Sequence, residues 1–124
     1  MRNRSDVLVL IVDDEAGIRE TLAINLELEG FKTLSASSGS EAIELLKNHA
    51  IDFVISDVRM PKGDGITLLK NIKKGDSDIP HIVLLTGFSE LSTEEVKQLG
   101  AIDLIIKPPN IDLLIELIIK YCDC

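Results

Sequence analysis

Aromatic side chains are scarce: there is no tryptophan, one tyrosine and three phenylalanines. So few rings cannot build a base-stacking platform. Positive charge is also short, since 13 Lys and Arg stand against 21 Asp and Glu for a net charge of −8. Direct nucleic-acid binding, which draws much of its affinity from basic patches, is therefore not expected. The only cysteines, Cys122 and Cys124, lie one residue apart near the C-terminal end. That is too few and too local for a disulfide framework or a four-ligand zinc site. The longest aliphatic run, Val7 to Val12, is far short of the ~20 apolar residues of a membrane helix. No charged segment followed by an apolar stretch and a cleavage site opens the chain, so the expectation is a cytoplasmic protein rather than a secreted one.

What is present is aliphatic: 17 Ile and 18 Leu within 124 residues. That length suits one domain, over residues 1–124 with a core of about 6–121. Val7-Leu8-Val9-Leu10-Ile11-Val12 is a continuous β-favouring run, the pattern of a strand buried on both faces. Ile18, Leu22, Leu26 and Glu29 then recur at i+4, and Gly30 supplies a helix stop. Lys32 to Ala36 is a weaker strand, and Ser38-Gly39-Ser40-Glu41 opens a helix to about Asn48. Phe53-Val54-Ile55 is a third strand ending at Ser56-Asp57. Turn chemistry from Met60 to Gly65 precedes a helix over about Ile66 to Lys74. His81 to Leu85 is a fourth strand, closed by Thr86-Gly87. Ser92-Thr93-Glu94-Glu95 begins a helix that Gly100 ends. Leu104-Ile105-Ile106 is a fifth strand, and Ile111 to about Tyr121 a last helix. This alternation predicts a single doubly wound (βα)5 domain, flavodoxin-like, with a parallel five-stranded sheet of order 2-1-3-4-5.

In such sheets ligands sit at the carboxyl ends of the strands. Strand 1 ends in Asp13-Asp14-Glu15, strand 3 in Asp57, strand 4 in Thr86-Gly87 and strand 5 in Lys107-Pro108. Each alone has a plain structural role: a helix cap for Asp13 or Asp14, a turn for Asp57, a surface position for Lys107. All four at the same sheet edge argue for a site. Clustered carboxylates repel and need a cation, and all-oxygen donors in a wet site favour Mg²⁺ over zinc. A hard cation beside a carboxylate, a Thr hydroxyl and a Lys suits phosphoryl transfer. Glu15 reads instead as a helix start at the positive end of the first helix.

Val12-Asp13-Asp14-Glu15, then Asp57-Val58-Arg59-Met60-Pro61-Lys62-Gly63-Asp64-Gly65, Thr86-Gly87, and Gly100-Ala101 followed by Lys107-Pro108 occur in order along nearly the whole chain. In these motifs the sequence resembles the receiver domains of two-component response regulators, of the chemotaxis-regulator type. The resemblance implies a phosphoacceptor signalling domain rather than an enzyme. Asp57 would take a phosphoryl group from a phosphohistidine on a sensor histidine kinase or phosphotransfer protein. Mg²⁺ would be held by Asp14, Asp57 and the backbone carbonyl of Arg59, with Asp13 acting mainly through a bound water. Thr86 would hydrogen-bond the phosphoryl group and Lys107 would pair with it, across a cis Lys107–Pro108 bond. Gly87 would leave room for the phosphoryl oxygens. Movement of Thr86 would reshape the face formed by helix 4, strand 5 and helix 5.

Two departures stand out. Receivers usually carry Tyr or Phe three residues before the lysine, where this chain has Leu104. In receivers the residues two beyond the acceptor and two beyond the Thr flank the water path to the acceptor. The resemblance puts Arg59 and Phe88 there, not an amide-plus-acid pair, so slow self-dephosphorylation is expected, with Phe88 as a shield. Thr86-Gly87-Phe88-Ser89-Glu90 also resembles receivers fused to hybrid sensor kinases, as in a phosphorelay. Among alternatives, a haloacid-dehalogenase-type aspartyl-phosphate phosphatase needs a second Asp where Arg59 stands. A degenerate receiver acting only as an interaction module is at odds with the intact acidic cluster. A flavin-binding domain would need a phosphate-cradling loop where strand 1 ends in acids. Helix 5 adds one expectation: Ile111, Leu114, Ile115, Ile118 and Cys122 form one apolar stripe and Leu113, Leu117 and Tyr121 a second. Only Asp112, Glu116 and Lys120 are polar. An arc this wide exceeds the ~100° of a surface helix and reads as a partner face, for a homodimer or an adjacent domain; the alternative is that part of it packs on neighbouring loops or frays near the terminus.

Overall fold

The computed structural model describes residues 1–61, 64–75, 77–87 and 91–124. A 3-10 turn at Arg4–Asp6 leads into β1 (Leu8–Val12), α1 (Ala16–Leu28), β2 (Lys32–Ala36), α2 (Gly39–Asn48) and β3 (Phe53–Asp57). Then follow α3 (Gly65–Ile72), β4 (His81–Thr86), α4 (Thr93–Gln98), β5 (Leu104–Ile106) and α5 (Ile111–Cys122). The strands form one parallel sheet of order β2-β1-β3-β4-β5, as expected from the alternation.

Period-2 alternation divides the strands between two cores. Val9, Ile11, Phe53, Ile55, Val83, Leu85 and Ile105 point to the side where Leu22 and Leu26 of α1 and Leu114 and Ile118 of α5 cover them. Leu10, Val12, Val54, Ile82 and Leu84 point to the other, under Ala42 of α2, Leu68 and Leu69 of α3 and Val96 of α4. Both faces are covered, which is why β1, β3 and β4 read as unbroken apolar runs.

Local chemistry sets the helix ends. The Ser38, Asp64 and Asn110 side chains accept from the backbone N–H groups of Glu41, Thr67 and Leu113. Ser92 and Glu95 form a reciprocal capping box at the helix start expected for α4. Gly30, with φ of 97°, closes the end of α1.

Three details differ from expectation. The N-terminal 3-10 turn has no periodic signal. β4 runs one residue further, to Thr86. α3 is shifted to Gly65–Ile72 because Gly65 is its first residue and not part of the preceding turn. A Cβ on Gly65 would collide with the carbonyl oxygen of Asp57, with the Asp57 carbonyl carbon and Val58 Cα both at 3.1 Å. The helix start therefore lies directly against the end of β3, and only glycine fits there.

Candidate functional site

The register carries four strand ends to one edge. Val12 pairs with Ser56, Asp57 with Leu85, and Thr86 with Ile106. Backbone contacts beyond the strands fix the next residues: Asp13 N–H donates to the Ala36 carbonyl at 3.1 Å, Val58 N–H to Leu85 at 2.9 Å and Lys107 N–H to Thr86 at 2.8 Å. Asp13, Asp57 and Thr86 are buried, whereas Asp14 and Arg59 are exposed.

Lys107 is the centre of the arrangement. Its ammonium lies 2.9 Å from Asp13 Oδ2 and 3.0 Å from Asp57 Oδ2, and 4.0 Å from Glu15 Oε1. The Lys107–Pro108 bond is cis, as the resemblance implies; Ile79–Pro80 is cis as well, which nothing in the sequence anticipates. Burial alone would lower the Lys107 pKa, but its hydrogen bonds and charge pairing with Asp13 and Asp57 outweigh that and raise it. At Asp57 burial dominates in the other direction. It lifts the carboxyl above its ordinary value, opposed by the hydrogen bond and charge of Lys107 and reinforced by the charge of Asp13.

The carboxylates are also held from the backbone. Glu15 N–H donates to Asp13 Oδ1 at 2.9 Å, Arg59 N–H reaches Asp57 Oδ1 at 3.4 Å, and the Ser56 hydroxyl donates to the Asp57 carbonyl at 3.0 Å. Glu15 does begin α1, as its N-cap residue, but its carboxylate makes no capping bond. Asp13 takes the Glu15 N–H instead. From the second turn of α1, Arg19 Nη1 donates to the Asp13 carbonyl oxygen at 2.6 Å. Nothing in the pattern of charges singles out Arg19, and the Met60–Gly65 turn signal does not reveal the contact of Gly65 with Asp57.

The donor set fits a hard divalent cation. Asp13, Asp14 and Asp57 each offer an oxygen, all within 4.8 Å of one another. Asp13 Oδ2 is buried and faces the Lys107 ammonium at 2.9 Å. Oxygen-only ligands beside an open cleft suit Mg²⁺. That cleft, of about 300 Å³, is lined by Asp14, Glu15, Asp57, Arg59, Thr86, Gly87 and Lys107. The space where a side chain at position 87 would begin is open. Next to Thr86, a second hollow of about 440 Å³ is bordered by Leu104 and Ile106; Leu104 is the position at which the resemblance leads one to expect a ring. Phe88, the expected shield, lies outside the described residues, as do Ser89 and Glu90 and the Lys62-Gly63 pair of the motif.

The family model for the response regulator receiver domain matches residues 9–119. The chain belongs to that family. Among curated relatives of this receiver domain, Sporulation initiation phosphotransferase F of Bacillus subtilis is 36% identical over 114 residues, 91% of each chain. Regulatory protein AtoC of Escherichia coli is 38% identical over 107 residues, 86% of this chain but 23% of its own length. A probable transcriptional regulator of Cyanidium caldarium, ycf27, is 41% identical over 108 residues, and this chain spans 43% of it. Among solved structures, the Thermotoga maritima response regulator TrrA in complex with Mg²⁺–BeF superposes with a TM-score of 0.82 at 33% identity, covering 93% of this chain and 98% of that one. The Francisella response regulator 1452 receiver domain gives 0.85 at 30% identity, covering 95% and 98%. The doubly wound sheet and the phosphoacceptor role of a two-component receiver are thus those of the family.

Proposed function

We propose that Asp57 is the phosphoacceptor and that the cleft around it accepts the phosphoryl group of a phosphohistidine. The observation that carries this is the Lys107 ammonium set between Asp13 and Asp57 at 2.9 and 3.0 Å beside an open cleft. A carboxylate oxygen of Asp57 attacks phosphorus, the P–N bond breaks, and the imidazole leaves with the electron pair. The product is an acyl phosphate. Lys107, already beside Asp57, pairs with the incoming phosphoryl oxygens, and the Thr86 hydroxyl hydrogen-bonds one of them. Gly87 leaves that side open. Asp13, Asp14, Asp57 and the Arg59 backbone carbonyl would hold Mg²⁺, with Asp13 acting mainly through a bound water. When bound, the ion supplies charge neutralisation for the transferring group; the Mg²⁺–BeF complex of TrrA supports its presence.

The donor is a sensor histidine kinase or a phosphotransfer protein, and the chain acts as a signalling receiver in the cytoplasm, not as an enzyme with an external substrate. Switching proceeds through Thr86 with Leu104 in place of an aromatic ring. Self-dephosphorylation is slow, and Phe88→Glu is expected to accelerate it; an unchanged decay rate would remove Phe88 from the account. The outer stripe of α5 is a second partner surface, for a homodimer or an adjacent domain.

The central test is incubation with Mg²⁺ and acetyl phosphate followed by intact mass. One phosphate adduct is expected, absent from Asp57→Asn and from samples with EDTA. An adduct that persists in Asp57→Asn would place the acceptor elsewhere.

A further inference from the structure

We infer that Arg19 is a positioning residue that sets the affinity of the acidic cleft for its divalent cation, acting through the backbone of Asp13. The inference rests on the reading of that cleft as a Mg²⁺ site. Three carboxylates with oxygens within 4.8 Å of one another tend to push the loop between β1 and α1 away from β3. Lys107 neutralises Asp13 and Asp57 directly, at 2.9 and 3.0 Å, but a cation on those oxygens competes with the metal for them. Arg19 avoids that conflict. Its guanidinium donates at 2.6 Å to the Asp13 carbonyl oxygen rather than to a carboxylate. The same residue's Oδ1 is held by the Glu15 N–H at 2.9 Å, and its N–H by the Ala36 carbonyl at 3.1 Å. Asp13 is thereby fixed at amide, carbonyl and side chain, and Oδ2 is left buried facing the Lys107 ammonium at 2.9 Å. Arg19 is itself half-buried and anchored in α1 by its own N–H to Glu15, at 3.2 Å. A charged hydrogen bond to a carbonyl is among the stronger ones available for holding a loop.

Groups that orient metal ligands from behind typically change metal affinity by about 10–100-fold when removed. The sign separates this role from plain electrostatics. A positive charge beside the site repels Mg²⁺, so if Arg19 acted only as a charge, Arg19→Gln would tighten binding. As a positioning residue its loss weakens binding.

The test is titration calorimetry of Mg²⁺ into the metal-free protein, with thermal melts in EDTA run in parallel. Arg19→Gln is expected to raise the Mg²⁺ dissociation constant about tenfold, and Arg19→Lys, which keeps a donor for the carbonyl, to recover much of the loss. An unchanged or tighter constant in Arg19→Gln overturns the inference. So does a lower melting temperature in EDTA with no change in the constant, which would make Arg19 merely structural. Should Arg19→Gln fail to fold, Arg19→Met, which keeps an unbranched stem and removes the donor, takes its place: a constant raised about tenfold supports the inference, and an unchanged or tighter one overturns it. Failure of the unmodified protein to bind Mg²⁺ would instead overturn the site reading itself.

Discussion

Asp57 sits in a conflict that makes its own stability effect predictable. Burial raises its pKa against the pull of Lys107, so the folded state binds this proton more tightly than the unfolded chain does. The stabilising contribution is full below the ordinary carboxyl value of 3.8 and is lost as pH rises through the folded value. At neutral pH, without metal, the ionised group weighs against folding. Asp57→Asn is therefore expected to raise the urea midpoint in EDTA at pH 7.5, with the advantage shrinking at pH 4. A lower midpoint at pH 7.5 would mean that the Lys107 pair outweighs burial. At this scale Asp13, Asp14, Asp57, Thr86 and Lys107 were legible, because each follows a recognisable strand and a doubly wound sheet gathers strand ends at one edge. The roles of Arg19 and of Asp13 Oδ1 were not, since both depend on the path of one loop and leave no period or motif in the chain.

Among the elements, α3 shows how a tertiary contact overrides a turn signal. Asp64-Gly65 reads as a turn, yet Asp64 caps the helix and Gly65 begins it because a bare Cα lets α3 abut the Asp57 carbonyl. Gly65→Ala is expected to cost about 1–3 kcal/mol, the usual range for overpacking, and to slow phosphorylation because the displaced backbone is that of the proposed acceptor. Gly17, in α1, offers the control: nothing lies within 4 Å of a Cβ there. Gly17→Ala should stabilise by about 0.5–1 kcal/mol. Thermal melts of the two variants check the pair; equal stability of Gly65→Ala and the unmodified protein would refute the close approach. Strand identities and order were readable because buried β-runs and capping residues are local signals. The end of α3 was not, because Lys73 and Lys74 continue a helix-compatible sequence beyond the point where its last N–H bonds turn back to Leu69 and Asn71.

For the molecule as a whole, the open question is the surface along α5. Leu114, Ile118 and Cys122 are buried as the inner stripe, while Leu113 and Leu117 of the outer stripe are half-buried against the same core. Tyr121 packs against His81, with ring centroids 5.4 Å apart, and keeps 38% of its surface exposed. The domain thus absorbs part of the wide apolar arc, and the remainder is narrower than the helical pattern suggested. Self-association through it must also overcome a net charge of −8 on each chain. That repulsion is screened over about 10 Å at 0.1 M salt and over about 3 Å at 1 M, whereas apolar contact is not weakened by salt. A homodimer through this stripe should therefore strengthen as salt is raised, and Leu113→Lys with Leu117→Glu should dissociate it while phosphate acceptance at Asp57 persists. Because both leucines also touch the core, the double variant should melt lower as well. Light scattering across a salt series decides: a single-chain mass at high concentration and high salt, with and without phosphate, would exclude the homodimer and leave the stripe to an adjacent domain.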